Sequence, residues 1–99
     1  MAQINTQTEV ELFLQEPKMS KVILLNDDYT TMEFVIKILM DIFEKSYNQA
    51  TEIMLNVHRS GSGVCGIYPY DIAEFKAKSA KMSAQAHHFP LKIITQDLN

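Results

Sequence analysis

The chain has 99 residues, 46% of them hydrophobic and 21% charged, which is enough for one small globular domain with a single core. Its net charge of −3 disfavours a general nucleic-acid binder, because such proteins cluster positive charge against phosphates. One cysteine, Cys65, excludes an intramolecular disulfide and a multi-cysteine zinc site. No signal-peptide pattern and no run of ~18–20 apolar residues is present, so we expect a soluble protein of a reducing compartment.

The first residues differ in character from the rest. Residues 1–18 are polar and acidic, with one short apolar cluster at Val10, Leu12, Phe13 and Leu14. We predict that they form a flexible N-terminal arm and that the core domain covers residues 19–99, since Pro17 favours extended backbone before it.

The core begins with a strand and continues with two helices. Residues 21–25 (KVILL) are apolar and β-branched and are followed by Asn26-Asp27-Asp28, a pattern that predicts a buried strand and a turn. Thr30 and Glu33 have the spacing of a capping box, which predicts a helix that continues to about Lys45. Ser46 and Gln49 repeat that spacing and predict a second helix, which the Gly61-Ser62-Gly63 segment breaks. One apolar face of this second helix carries Ala50, Ile53, Met54 and Val57.

The remaining segments predict a strand, a helix and a final strand. Residues 64–68 (VCGIY) form the second strand, and Pro69 suits the first turn of a third helix over residues 70–86. A turn at residues 88–90 leads into a last strand over residues 91–95 (LKIIT). The order β-α-α-β-α-β predicts an α+β domain in which a three-stranded antiparallel sheet packs against three helices.

The most concentrated polar cluster is Asn26-Asp27-Asp28, between the first strand and the first helix. Two carboxylates and an amide carbonyl there suit a cation, either a metal ion or an ammonium group. Asn and Asp also favour turns for their own sake, so the cluster could be a turn and nothing more.

Histidine and cysteine side chains leave two enzymatic alternatives open. His58, at the edge of the second helix's apolar face, could accept a hydrogen bond or join Asp27, Asp28, His87 and His88 in a metal site. Alternatively it is a helix-end histidine bonded to nearby carbonyls. Cys65 could pair with His58 as a nucleophile, although a strand cysteine is usually a small buried hydrophobe.

Two methionines lie close to these polar groups in the sequence. Met32 follows the acidic cluster, and Met54 precedes His58 by one helical turn. Methionine is flexible and polarizable, so it either fills the core or lines an adaptable apolar pocket beside the polar cluster.

Two long motifs carry a family resemblance. KVILLNDDYTTMEFV and ATEIMLNVHRSGSGVCGIYPYDIAE, followed by the HFPL segment, closely resemble the ClpS family of bacterial adaptors. The similarity spans about Lys21 to Thr95. Members deliver substrates of the N-end rule to the ClpAP protease, and the family's fold agrees with the element order above.

The resemblance implies a binding site without a catalytic residue, metal or cofactor. Asn26, Asp27 and His58 would bind the free α-amino group of a substrate whose first residue is Leu, Phe, Tyr or Trp. The side chain of that residue would enter a cavity in which Met32 excludes β-branched side chains. The residues implied to line this cavity are Leu25, Thr30, Met32, Val35, Met54, Val57 and Leu91.

The partner implied by the resemblance is a ClpA-type AAA+ unfoldase in the cytoplasm. Asp71, Glu74 and Lys76 on the third helix match the family's contact positions, and the arm would engage the unfoldase during handover. We expect a monomer that binds neither nucleic acid nor membrane.

The chain departs from the family pattern at three positions. Thr31 replaces a usual Pro, Phe75 a usual Thr and Asp71 a usual Glu. A purely structural interaction domain is the third function class considered.

Overall fold

A computed structural model describes residues 18–98 of the chain. Their elements follow the predicted order, with strands and helices alternating as β-α-α-β-α-β, and the predicted fold class is therefore confirmed. The bounds are β1 Met19–Leu25, α1 Met32–Asp41, α2 Tyr47–Ser60, β2 Ser62–Pro69, α3 Tyr70–Ala86 and β3 Lys92–Asp97.

The three strands form one antiparallel sheet in the order β2-β1-β3, so the first strand lies in the centre. Ile23 pairs with Val64 on one side and with Ile94 on the other. A bulge between Val22 and Ile23 of the β1–β2 ladder leaves Cys65 without a partner. Alternate residues of β1 are buried, which shows that the helices cover one face of the sheet.

The core lies between that face and the helices. Val22, Leu24 and Ile93 contribute the sheet side of the core, and each is no more than 1% exposed. Helix α3 contributes only small residues, spaced on one face, so that its backbone can approach the sheet closely. These buried residues are Ala73, Ala77, Ala80 and Ala84.

The first helix begins and ends differently from the prediction. Its N-cap is Thr31, whose hydroxyl accepts a hydrogen bond from the backbone N–H of Phe34. The predicted cap Thr30 instead donates its hydroxyl hydrogen to Asp27. At the other end α1 stops at Asp41, not near Lys45, because the chain turns at Glu44, which has a positive φ of 56°.

The second helix agrees with the prediction at both ends. The capping box of Ser46 and Gln49 is present in both directions, and the left-handed Gly61 ends the helix with φ 91°. The next glycine lets helix and strand approach, because a Cβ at Gly63 would lie 2.7 Å from Cγ2 of Val57. This close contact holds the end of α2 against the sheet.

Smaller differences occur at Pro69 and in the strands. Pro69 is the last residue of β2 and the N-cap of α3, one position before the predicted first turn. Each strand is longer than predicted. The predicted arm, residues 1–18, lies outside the described residues except for Lys18. Across residues 18–98, every helix is too short or too polar to cross a membrane.

Candidate functional site

A cavity of about 380 Å³ lies where β1 ends, between the start of α1 and the last turns of α2. Its walls come from the loop that joins β1 to α1, called here the site loop (residues 26–31), and from the two helices. The lining residues are Asn26, Asp27, Asp28, Tyr29, Thr30, Thr31, Met32, Val35, Met54, Val57 and His58.

The site loop is organised by the carboxylate of Asp27. Its Oδ1 accepts hydrogen bonds from the backbone N–H groups of Tyr29 at 2.8 Å and Thr30 at 2.7 Å. Its Oδ2 accepts one from the Thr30 hydroxyl at 2.7 Å. Partial burial acts to raise the pKa of Asp27, but the hydrogen bonds from Thr30 and Tyr29 outweigh it and lower that pKa below its ordinary value. Asp27 is therefore a carboxylate at neutral pH.

These contacts limit what Asp27 can still bind. An ionised carboxylate has about four acceptor positions, and three are used inside the loop. The free position is on Oδ2, so Asp27 can offer a ligand its negative charge and one further hydrogen bond.

A backbone contact joins the site loop to the end of α2. The N–H of Asn26 donates to the carbonyl of Gly61 at 2.9 Å. Gly61 follows the last turn of α2, which carries His58, so this bond sets the loop beside the histidine. Asn26 and His58 both have exposed side chains and both line the cavity. The mouth thus holds a carboxylate, an amide and an imidazole, all of which can accept hydrogen bonds.

Beyond this polar rim the wall is apolar. Val35, Met54 and Val57 are buried, with at most 7% of their surface exposed. Met32 is the first residue of α1 and is 46% exposed, so it stands at the mouth with one side in solvent. The cavity therefore combines a polar, negatively charged entrance with an apolar interior, the usual composition of a small-ligand pocket.

Eight of the ten residues expected to bind a substrate surround this cavity, and two do not. Leu25 ends β1 and pairs with Lys92 of β3, outside the lining. Leu91 is buried and lines a separate cavity with Phe89 and Ile93. Sequence reasoning did not assign the lining residues Asp28, Tyr29 and Thr31 to the cavity, although their place between Asp27 and Met32 would have indicated it.

A larger depression lies elsewhere on the described surface. It measures about 570 Å³ and is lined chiefly by polar side chains of α2, among them Glu52, Asn56 and Arg59. None of the residues expected to bind a substrate lines it. The smaller cavity is the one that gathers the candidate residues.

The metal and thiol alternatives find no site in the described part of the chain. Within residues 18–98 no three His, Cys, Asp or Glu side chains are grouped to hold a metal ion. His87 contacts the Ser83 carbonyl through Nδ1 at 2.8 Å, and its ring packs at a tilt of 48° against the Phe34 ring. Burial raises the pKa of the Cys65 thiol to about 12, although Lys45 acts in the opposite sense, so almost no thiolate exists at neutral pH.

The three charged residues expected to contact an unfoldase have different surroundings on α3. Asp71 is exposed in the first turn. Glu74 accepts a hydrogen bond from the Thr95 hydroxyl at 2.6 Å, which ties the helix to β3.

Lys76 is mainly engaged within the domain. Its Nζ donates to the Ile42 carbonyl at 2.6 Å, lies 3.4 Å from a Glu44 carboxylate oxygen and stands over the Tyr68 ring. Its side chain is only 16% exposed. Lys76 therefore fastens α3 to the turn after α1, which leaves Asp71 as the most available charge of the three.

Comparisons with known proteins agree on one relationship. The family model for the ATP-dependent Clp protease adaptor protein ClpS matches residues 15–94. The ClpS adapter protein of Helicobacter hepaticus is 48% identical over 98 residues, covering 99% of each chain. That of Wolinella succinogenes is 50% identical over 92 residues, covering 93% of this chain and 90% of its own.

A solved structure shares the fold as well. It is that of Agrobacterium tumefaciens ClpS2 bound to L-phenylalaninamide, which is 43% identical to this chain and superposes with a TM-score of 0.80. The match covers 83% of this chain and 99% of the Agrobacterium chain.

Proposed function

The chain belongs to the ClpS family of Clp protease adaptors, and from that premise we propose that it binds proteins through a bulky hydrophobic first residue. The residues accepted are Leu, Phe, Tyr and Trp. The bound protein is then delivered to a ClpA-type AAA+ unfoldase in the cytoplasm. In this role the chain is an adaptor that performs no catalysis itself and acts as a monomer.

The observation that carries the proposal is the joining of acceptors and apolar walls in one cavity. A free α-amino group has a pKa of ~7.7–8.0, so it is largely cationic at neutral pH and has three N–H donors. Asp27 supplies charge and one acceptor position, and Asn26 and His58 supply the other two. The side chain of the same residue then lies against Val35, Met54 and Val57.

The ligand of the Agrobacterium relative supports this assignment. L-phenylalaninamide has a free α-amino group, a benzyl side chain and an amide in place of the carboxylate, so it resembles the first residue of a peptide. A cavity of about 380 Å³ is near the lower end of the ~300–1,000 Å³ range of ligand pockets, which suits a single residue.

Simple energetics indicate that neither half of the site is sufficient alone. Burial of a Leu or Phe side chain contributes ~1.5–3 kcal/mol, and a hydrogen bond to a charged group ~1.5–3 kcal/mol. A micromolar complex needs about 8 kcal/mol of net binding free energy. Binding therefore requires the free amine and the apolar side chain together.

The test is binding of fluorescent peptides that differ only at their first residue, measured by anisotropy. A Phe-starting peptide should bind, and its N-acetylated form should not. Asp27→Asn is the matching change in the protein, because an amide can still accept from the two backbone N–H groups and donate to Thr30 while its charge is lost. Asp41→Asn removes an exposed charge of α1 that lies outside the cavity lining and is the control.

The binding measurements test the first step of the proposed function, which is recognition of the free amino terminus. We expect Asp27→Asn to weaken binding at least tenfold and Asp41→Asn to change it by less than threefold. Binding of the acetylated peptide within threefold of the free peptide would show that the cavity does not recognise an amino terminus.

Delivery requires a second surface, for which we propose α3. Asp71, Glu74 and Lys76 are the contact positions, with Asp71 the most accessible of them. Asp71→Lys should slow degradation of a Phe-starting substrate by the unfoldase and its protease while leaving peptide affinity unchanged. Asp41→Lys, an equal charge reversal on α1, is the control, and equal slowing by both variants would refute α3 as the contact.

A further inference from the structure

Strand β3 lies at an edge of the sheet, because it pairs with β1 alone. In an antiparallel ladder, alternate residues bond to the neighbouring strand and the residues between them direct their N–H and C=O groups away from it. The N–H of Leu98 donates to the Met19 carbonyl at 3.0 Å, which sets this alternation. Ile93 and Thr95 therefore direct their backbone groups outwards, and within residues 18–98 those groups have no backbone partner.

This edge is regular along its whole length. The pairing of β1 with β3 runs from Ser20–Asp97 to Leu25–Lys92 without a bulge, whereas the pairing of β1 with β2 is interrupted by one. The sequence of β3, KIITQD, also lacks a proline that would remove a donor. A regular edge with unpaired N–H and C=O groups is a template on which an extended segment can add a further strand.

A groove runs along the edge, between β3 and helix α3. It consists of two cavities of about 360 and 370 Å³, which meet at Lys81. The first lies between residues 74–81 of α3 and Thr95, and the second between residues 81–85 and residues 89–94. We call the two cavities together the edge groove. Its position gives an added strand a place for the side chains that point towards α3.

The edge groove carries an excess of positive charge. Its three lysines, Lys78, Lys81 and Lys92, are exposed, and none of them forms a salt bridge within residues 18–98. The acidic residue in the lining is Glu74, whose carboxylate accepts the hydroxyl hydrogen of Thr95. Three cations without acidic partners favour a ligand that brings carboxylates.

Apolar surface accompanies these charges. Phe75 lies in the lining at one end of the edge groove and is 71% exposed, and Phe89 lies half-buried at the other end. Ile94 is 45% exposed, and its side chain points to the sheet face opposite the core. An added strand could therefore place carboxylates towards α3 and apolar side chains beside Ile94, because its successive side chains alternate between the two faces.

Charge also decides between two kinds of occupant. A second copy of the chain, paired edge to edge through β3, would bring a second set of the same lysines to this edge. Lysine on an edge strand opposes such self-association. The same lysines attract an acidic segment, so complementarity favours a different partner over a second copy.

We propose that β3 and the edge groove bind an extended acidic segment of another protein, which adds to the sheet as a fourth strand. Its carboxylates lie beside Lys78 and Lys81, and its alternate apolar side chains lie beside Ile94. This surface is distinct from the cavity between α1 and α2, and the proposal does not depend on recognition of a free amino terminus.

The experiment is an NMR titration of the ¹⁵N-labelled full-length chain. The probe is a heptapeptide of alternating glutamate and valine that starts and ends with glutamate. Its N-terminus is acetylated, so that it offers no free amine to the other cavity. The amides of Ile93 and Thr95 should shift saturably and exchange their hydrogens at least tenfold more slowly, while those of the core residues Ile38 and Leu39 stay unchanged. The same peptide with lysine in place of glutamate should not bind.

Backbone pairing is tested on the peptide. N-methylation of its third and fifth residues, both glutamates, removes the donors that face β3 and should weaken binding at least tenfold. N-methylation of the fourth residue, whose N–H faces away from β3, is the control and should change the affinity by less than threefold. Equal weakening by both modifications would overturn addition to the strand.

Charge recognition is tested on the protein. An exposed ion pair changes an equilibrium constant by roughly 1.4- to 5-fold, so Lys78→Gln with Lys81→Gln should weaken binding at least threefold. Lys37→Gln with Arg59→Gln removes two exposed charges that lie outside the edge groove and should change the affinity by less than twofold. Equal loss in both variants would overturn recognition by the groove lysines.

Two further results would refute the proposal outright. One is the absence of any shift at Ile93 and Thr95 when the acidic peptide is added. The other is slow exchange of these two amides before peptide is added, because a segment of this chain or a second copy would then already cover the edge.

Discussion

Met32 offers the sharpest test of how the cavity selects its ligand. It is the first residue of α1, lines the mouth beside the site loop and is 46% exposed. Leu, Phe, Tyr and Trp have one heavy substituent on Cβ, whereas Val and Ile have two and are stiff at χ1. We expect Met32 to obstruct the second substituent, so that Met32→Ala lets Ile- and Val-starting peptides bind more tightly.

The expected magnitude follows from packing. An overpacked side chain costs ~1–3 kcal/mol, which corresponds to roughly a 5- to 150-fold change in affinity. Loss of a fully buried Met costs ~2–5 kcal/mol of folding free energy, but a residue with nearly half its surface in solvent should cost well below that range. The variant should therefore stay folded, and the change in selectivity should be measurable on its own.

The assay is a titration of Leu-, Phe-, Ile- and Val-starting peptides against both proteins. Met40→Ala is the matched control, because Met40 lies on the same helix at 38% exposure and does not line the cavity. The ratio of Leu to Ile affinity should fall in Met32→Ala and stay constant in Met40→Ala. An unchanged ratio, or an equal loss of affinity for all four peptides, would refute selection by Met32.

Three further outcomes are expected. Cys65, whose pKa is raised to about 12 by burial, should resist iodoacetamide in the native protein and react in urea, as mass spectrometry would show; rapid native alkylation would contradict its burial. Because the folded-state pKa of Asp27 is lowered, its stabilising effect is complete above its unfolded pKa of about 3.8 and is lost as pH falls through the lower folded value. The difference in urea midpoint between wild type and Asp27→Asn should therefore shrink in acid, and a constant difference would contradict this. Deletion of residues 1–17 should leave peptide affinity intact and slow degradation by the unfoldase and protease, whereas a large loss of affinity would contradict the division between arm and pocket.

The ends of a helix could be predicted where the local sequence offers only one residue for the capping position. Ser46 and Gln49 form the predicted capping box at the start of α2, and the helix ends at the first residue of the predicted Gly61-Ser62-Gly63 break. At the start of α1 two threonines are adjacent, and the hydrogen bond from Thr30 to Asp27 leaves the cap to Thr31. Such a choice depends on side-chain contacts that spacing does not specify.

The end of α1 shows how a periodic pattern can mislead. Phe43 continues the apolar spacing of the helix and is buried, as a helical residue would be. It reaches the core from a turn, because the chain leaves the helix after Asp41 and reverses at Glu44. Periodicity records which side chains are buried, and a turn residue can be buried as well as a helical one.

The site was predictable to a similar extent. The family resemblance is confirmed, and the residues close to the acidic cluster in sequence do surround one cavity. Leu91 is the case that sequence could not decide, since it follows a loop in which His88 has a positive φ of 61°. The direction in which the chain leaves such a loop determines which cavity Leu91 lines, and that direction follows from tertiary packing.

The composition of the cavity wall has a practical consequence for protein engineering. Eight of its eleven lining residues lie within positions 26–35, in one continuous stretch of ten residues. Only Met54, Val57 and His58 come from elsewhere, and all three belong to a single helix whose end is held to that stretch by the bond from Asn26 to Gly61. We therefore expect that the proposed ligand preference can be exchanged between relatives as one short cassette, residues 26–35, without rebuilding the sheet or α3.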